Sequence, residues 1–297
     1  MAKAKKRQDL YQMDRFLPEQ LIKVQSSIQS YASAVNGLPM NHSEVFEKRG
    51  WLLPFLFSFD DLLWGRWNYW HEILQKKTIE GSGPIPQIEW KDRGREGVEE
   101  TQKMLRTCLD HHESTIDHFA DWLMWGLAAS PEDQKLNISP ELNEHYYRKF
   151  DIFLVQNYPT DYLSQTLSEE TGKGYKSGLG YFPTPFNITC MMTKMTMGGD
   201  PEEEKRQTVY DGCVGCGATI LPASNHTLRM FAQDISQIAV KLCKIQMYWY
   251  APWYAFHPQW LKGFEQSKTI SLVPASPGKK ILEGQLAFDL DWATTPV

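Results

Sequence analysis

The segment VYDGCVGCG at 209–217 restricts the architecture of this chain more than any other stretch. Apolar residues lead to an acid, Asp211, and glycines follow at 215 and 217 ahead of ATIL. The apolar approach brings the chain out of a sheet, and the glycines let the backbone turn sharply and come closer to a ligand than a Cβ would allow. A second acid, Asp234, closes the next apolar run, LRMFAQD. A carboxylate one strand along from such a turn is placed to accept hydrogen bonds from ribose hydroxyls. Strand, glycine turn, helix, strand and acid form the layout of a nucleotide site.

The segments around this turn alternate. Residues 186–197 are predicted helical, 206–211 a strand, 217–225 a short helix, 228–233 a strand and 236–250 a helix. The last carries Ile238, Leu242, Ile245 and Trp249 on one face, with Ser236 placed to cap it. TISLV at 269–273 is a further strand candidate. The alternation predicts an α/β fold class, with a helical N-terminal region followed by a Rossmann-like, doubly wound, mostly parallel sheet.

The first ~165 residues carry helical periodicity instead. Leu21, Val24, Ile28, Tyr31 and Val35 form one stripe, stopped by Asn36-Gly37 and Pro39. Leu105, Leu109, His112, Ile116, Phe119 and Leu123 form a second, and 140–156 a third helical stretch closed by Tyr158-Pro159. Tryptophans at 51, 64, 67, 70, 90, 122 and 125 fall in these and other helix-like stretches of this half. A base-stacking surface is the alternative to helix packing for them, and their placement on helices favours packing. A helical, Trp-rich domain over 1–165 and a second domain over 166–297 are expected, with the glycine-rich stretch at 160–180 between them.

Composition narrows the function classes. With 31 Lys and Arg against 36 Asp and Glu, the net charge is −5, which argues against a strong free-standing nucleic-acid binder. The basic start MAKAKKRQ leads into polar QDLYQMD, so it fits a solvated tail better than a secretory leader. The most apolar run, 51–64, contains Pro54, Asp60 and Asp61 and falls short of the ~20 residues that a membrane-spanning helix needs. Five cysteines, an odd number, fit a reducing interior, and a cytoplasmic protein without membrane contact is expected. Cys213 and Cys216 form C-x-x-C without a second pair, so they are read as small packing residues rather than a redox or zinc site. In DHHESTIDHFAD at 110–121 the histidine spacing fits no metal motif; His112 is expected in the core, and His111, Asp117 and Asp121 facing solvent.

Three segments taken together go further. GYFPTPFNITCMMTKMT, VYDGCVGCGATIL and FAQDIS occur in that order, and the chain resembles the N6-adenine DNA methyltransferases over about residues 150–250. Among them it resembles the modification subunits of type I restriction systems. In that family a G-x-F-x-T-P signature, a D-x-x-x-G-x-G loop and a strand-end acid hold S-adenosylmethionine. Gly180, Phe182, Thr184 and Pro185 match the first, Asp211, Gly215 and Gly217 the second, and Asp234 the third. The resemblance implies S-adenosylmethionine as cofactor, Thr184 and Pro185 near its methionine end, Asp234 on the ribose, and Asp211 ordering the loop or meeting the methionine amine. A dinucleotide-dependent oxidoreductase is the rival reading, but Ile220 stands where its third glycine belongs.

The family also needs an N-P-P-F-type segment that holds the target adenine outside the duplex. The corresponding stretch here is FDLDWATTPV, whose Thr294 and Pro296 are degenerate catalytic candidates: the amide acceptor, one proline and the stacking aromatic are missing. The match is therefore expected to be truncated or degenerate at its C-terminal end. DNA is the implied substrate, reached with a partner subunit, and a regulatory or assembly subunit of a DNA-modification or defence system is the non-catalytic alternative. EGQLAFDL at 283–290 resembles the short peptides that bind bacterial sliding clamps, but a strand of the chain's own sheet explains the same alternation and is the preferred reading.

Overall fold

The glycine segment folds as strand, turn and short helix, with far less sheet around it than the alternation predicts. The structure, a computed structural model, describes residues 10–171 and 182–255. In chain order come helices α1 (Pro18–Ala32), α2 (Leu53–Leu63), α3 (Arg66–Lys76), α4 (Glu96–Leu109) and α5 (Ile116–Gly126). Helices α6 (Pro140–Lys149), α7 (Ile152–Asn157), α8 (Leu163–Glu170), α9 (Phe186–Thr196) and α10 (Pro201–Glu204) follow. Then come strand β1 (Thr208–Asp211), helix α11 (Ile220–Ala223), strand β2 (Arg229–Ala232), and helices α12 (Gln237–Tyr250) and α13 (Pro252–Ala255). Two compact units result, one of residues 10–65 and 91–160, the other of 66–90, 161–171 and 182–255. Residues 66–90, with α3, thus belong to the second unit, which the chain re-enters at Asp161.

The described part of the first unit is helical. Helix α2 has Pro54 in its first turn, where a missing N–H costs nothing. It is apolar on nearly every side, and Leu53, Leu56, Phe57 and Phe59 are buried between α1 and α7. Each such side chain contributes about 1.5–3 kcal/mol on burial. Phe59 meets Phe153 edge to face with centroids 4.6 Å apart, and Tyr31 meets Phe57 at 6.0 Å. Trp122 and Trp125 are interior residues whose indole N–H groups donate to Asn143 Oδ1 (3.0 Å) and the Val45 carbonyl (2.6 Å).

Two helices expected to be continuous are broken. The stripe from Leu105 to Leu123 is shared between α4 and α5. A turn closed by Ser114 N–H on the His111 carbonyl (2.8 Å) separates them, and Thr115 Oγ1 caps α5 by accepting from His118 N (3.1 Å). The break takes His112 off the apolar face, and it is exposed rather than in the core. Likewise 140–156 divides at Asp151, an extended residue whose carboxylate accepts from Phe153 N and Leu154 N at the start of α7.

In the second unit β1 and β2 pair in parallel, Thr208 opposite Arg229 through Asp211 opposite Ala232, joined by a crossover containing α11. Helix α12 lies at the centre, with Leu242, Ile245 and Trp249 buried, against α8, α11 and α13. Buried Arg66 at the start of α3 donates to the Tyr250 carbonyl (2.7 Å) and the Ser224 carbonyl, and its guanidinium lies 4.5 Å above the Trp253 ring.

The α/β, Rossmann-like, doubly wound sheet is therefore corrected. Among the described residues strand is confined to β1 and β2, and the fold is mostly helical. Burial gives the physical reason. Strands of a doubly wound sheet are covered on both faces, whereas β1 alternates between exposed and half-buried positions, with Tyr210 well exposed. One β–α–β unit suffices to make a glycine turn with an acid beside it; among the described residues the flanking segments supply helices, not further strands. The strand candidate at 269–273 lies outside the described residues. Among the described residues no helix is long and apolar enough to cross a membrane.

Candidate functional site

Parallel pairing brings the ends of β1 and β2 together, so Asp211 and Asp234 flank the glycine turn. The ladder continues one step beyond the strands, with Gln233 N bonded to the Asp211 carbonyl (2.9 Å) and Val214 N to the Gln233 carbonyl (3.0 Å). Asp211 holds the turn from within: Oδ1 accepts from Cys213 N (2.9 Å) and Oδ2 from the Thr219 hydroxyl. Asp234 holds it from the neighbouring strand, with Oδ2 accepting from Gly215 N and Oδ1 from Ser236 N, both at 2.8 Å. Ser236 in turn caps α12, accepting from Ala239 N (3.3 Å).

The turn's two glycines differ in task. Both take positive φ, +54° at Gly215 and +105° at Gly217. Gly215 lines a cavity. Gly217 faces α12, where an added Cβ would stand 3.3 Å from Cys243 Sγ.

The cavity has a volume of about 410 Å³, within the range of small-molecule sites. Of the sequence-predicted residues, Phe182, Thr184, Asp211, Gly215 and Asp234 line it together. Pro185 and Gly217 do not; Pro185 is the residue immediately before α9, and Gly217 lies beneath the turn. Sequence reasoning missed Ser164 from α8, Thr219, and Ile235, all of which also line the cavity. Thr219 was legible as the one hydroxyl ahead of ILPA, and Ile235 as the apolar neighbour of the acid. Ser164 carries no local signal. Gly180, Thr294, Pro296 and the 283–290 segment lie outside the described residues.

The lining contains two carboxylates and no Lys, Arg or His among the described residues. The N–H groups of Cys213, Val214, Gly215 and Gly217 are all bonded within the protein. The helix that follows the turn, α11, has only four residues. A pyrophosphate needs free main-chain donors and a helix N-terminus, and this turn offers little of either. A cationic or neutral ligand suits it better. Beneath the turn the buried Cys243 thiol is held well above its usual pKa, first by burial and then by Cys216, Asp211, Asp161 and Asp234. Cys213 is exposed and Cys216 buried, so the two thiols of the C-x-x-C do not share an environment. Among the described residues no group of three His, Cys, Asp or Glu side chains is arranged to hold a metal ion.

Comparison with protein families, with curated proteins and with solved structures returns no match to this chain.

Proposed function

We propose that this chain binds S-adenosylmethionine in the cavity above the glycine turn, as a component of an adenine-directed DNA-modification system. One observation carries the reading: three segments spread over more than fifty positions, represented by Phe182 and Thr184, by Asp211 and Gly215, and by Asp234, line the same cavity. When bound, S-adenosylmethionine supplies an electrophilic methyl group. The chain's own residues account for its retention. Each Asp234 oxygen accepts one N–H, and a carboxylate has about four acceptor sites, which leaves capacity for two ribose hydroxyls. Phe182 and Ile235 are 78% and 72% exposed at the cavity, and give an adenine ring apolar surfaces to lie against. Asp211 and Asp234, with no cation beside them in the lining among the described residues, favour a ligand that carries a sulfonium and an ammonium. The same features disfavour the oxidoreductase reading, because a dinucleotide brings a pyrophosphate.

The net charge of −5 supports a partner subunit as the source of most DNA contacts. The degenerate TTPV favours a second role, that of a cofactor-binding regulatory or assembly subunit, unless that partner also supplies the target-base pocket. Five free cysteines fit the reducing cytoplasm. Calorimetry on the wild type and on Asp234→Ala tests the site. Saturable binding of S-adenosylmethionine, lost in the variant, is expected; binding of NAD without S-adenosylmethionine would end this reading.

A further inference from the structure

Asp161, just ahead of α8, belongs to none of the three segments above. It is 1% exposed. Its Oδ1 accepts from Gln246 Nε2 (2.8 Å) and Ser164 N (3.2 Å), while Oδ2 has no hydrogen-bond partner among the described residues. Gln246, itself fully buried on α12, links this acid to the glycine turn. Its Nε2 also donates to the Cys216 carbonyl (2.8 Å), and its Oε1 accepts from Tyr162 N (2.9 Å) and Leu163 N (3.2 Å). Ser164, three residues on, lines the cavity.

A buried carboxylate with one oxygen unmatched is costly unless a positive charge is near. Among the described residues no ion pair to Asp161 exists, and no basic side chain lines the cavity. Asp161, Asp211 and Asp234 all lie close enough to Cys243 to act on its thiol, so Asp161 shares the surroundings of one buried thiol with the two carboxylates that line the cavity. Resting on the cofactor site above, we propose that Asp161 is a specificity-determining residue: its buried charge makes the cavity select the sulfonium form of the nucleoside over the neutral thioether left after methyl loss. Gln246 fixes that charge relative to the turn, and the remaining oxygen, free of donors, keeps its full field. At an effective dielectric of roughly 20, a unit charge about 10 Å from a sulfonium would shift its affinity on the order of tenfold.

The full chain and its Asp161→Asn variant, titrated calorimetrically with S-adenosylmethionine and with S-adenosylhomocysteine, test this. The two ligands differ in the sulfonium charge and its methyl group. The ratio of their affinities is expected to fall about tenfold in the variant, with the thioether bound within twofold of wild type, and Asp161→Glu is expected to restore the ratio. An unchanged ratio in Asp161→Asn, including an equal loss of both ligands, would show a scaffold role and overturn the inference. Should the variant not fold by circular dichroism, Asp161→Ser takes its place with the same expected fall in the ratio, and a wild type that binds the thioether equally or more tightly overturns the inference. A wild type that binds neither nucleoside removes the cofactor site itself.

Discussion

At Gly217 the backbone sits at φ +105° with Cys243 Sγ only 3.3 Å from where a Cβ would stand. Alanine there meets both strain and crowding, and Gly217→Ala is expected to cost about 1–3 kcal/mol, read as a lower urea midpoint. Its effect on the cavity is indirect, because Gly217 does not line it. Spacing in the sequence marks Gly215 and Gly217 as equivalents; only packing against α12 tells them apart. The cysteines separate in a similar way. Cys213 is exposed and lines the cavity, whereas Cys243 is buried with its thiol held protonated. Alkylation of the folded protein at pH 8 is expected to modify Cys213 and spare Cys243, with S-adenosylmethionine slowing the reaction at Cys213. Peptide mapping by mass spectrometry reads both, and labelling at Cys243 first would contradict the packing described.

At the scale of elements, α12 ties the site to its unit. Its cap, Ser236, borders the cavity and receives Ala239 N–H, while its own N–H is held by Asp234. Ser236→Ala is expected to destabilise the protein by about 1 kcal/mol and to weaken S-adenosylmethionine binding as well, since the same segment positions Asp234. Stability from urea unfolding and affinity from calorimetry are the paired readouts. Much at this scale is legible in the sequence: α9, α12, its Ser236 cap, and both strands follow from periodicity and punctuation. The breaks at 110–115 and at Asp151 are not, because apolar residues on both sides of each break face one core and keep the stripe's spacing intact. The wider sheet fails for another reason. A β–α–β unit is a local signal, but the number of strands beside it depends on long-range pairing that a run of apolar residues does not encode. Asp161 and Ser164 stayed hidden because they reach the site through a helix packed on the turn, not through the turn's own motif.

Across the whole molecule, each unit holds a buried thiol and a phenol of raised pKa: Cys108 and buried Tyr146 in the first, Cys243 and half-buried Tyr254 in the second. Burial is the largest cause of a raised pKa at all four. In the unfolded chain a thiol ionises near about 8.5 and a phenol near about 10. Between those values and the raised ones, the folded state binds more protons, so stability is full below about pH 8.5 and falls as pH rises. Each thiol then removes about 1.4 kcal/mol per pH unit until its own raised pKa is reached. A lower urea midpoint at pH 10 than at pH 7 is expected, and an unchanged one would contradict the burial of these groups.

The central claim, that three separated segments build one sulfonium-nucleoside site, is tested most directly by ultraviolet cross-linking of radiolabelled S-adenosylmethionine to the full chain. Label is expected on peptides spanning 182–185, 209–219 or 229–236, reduced by excess unlabelled S-adenosylmethionine but not by NAD. Label confined to other peptides, or displaced equally well by NAD, would contradict the account.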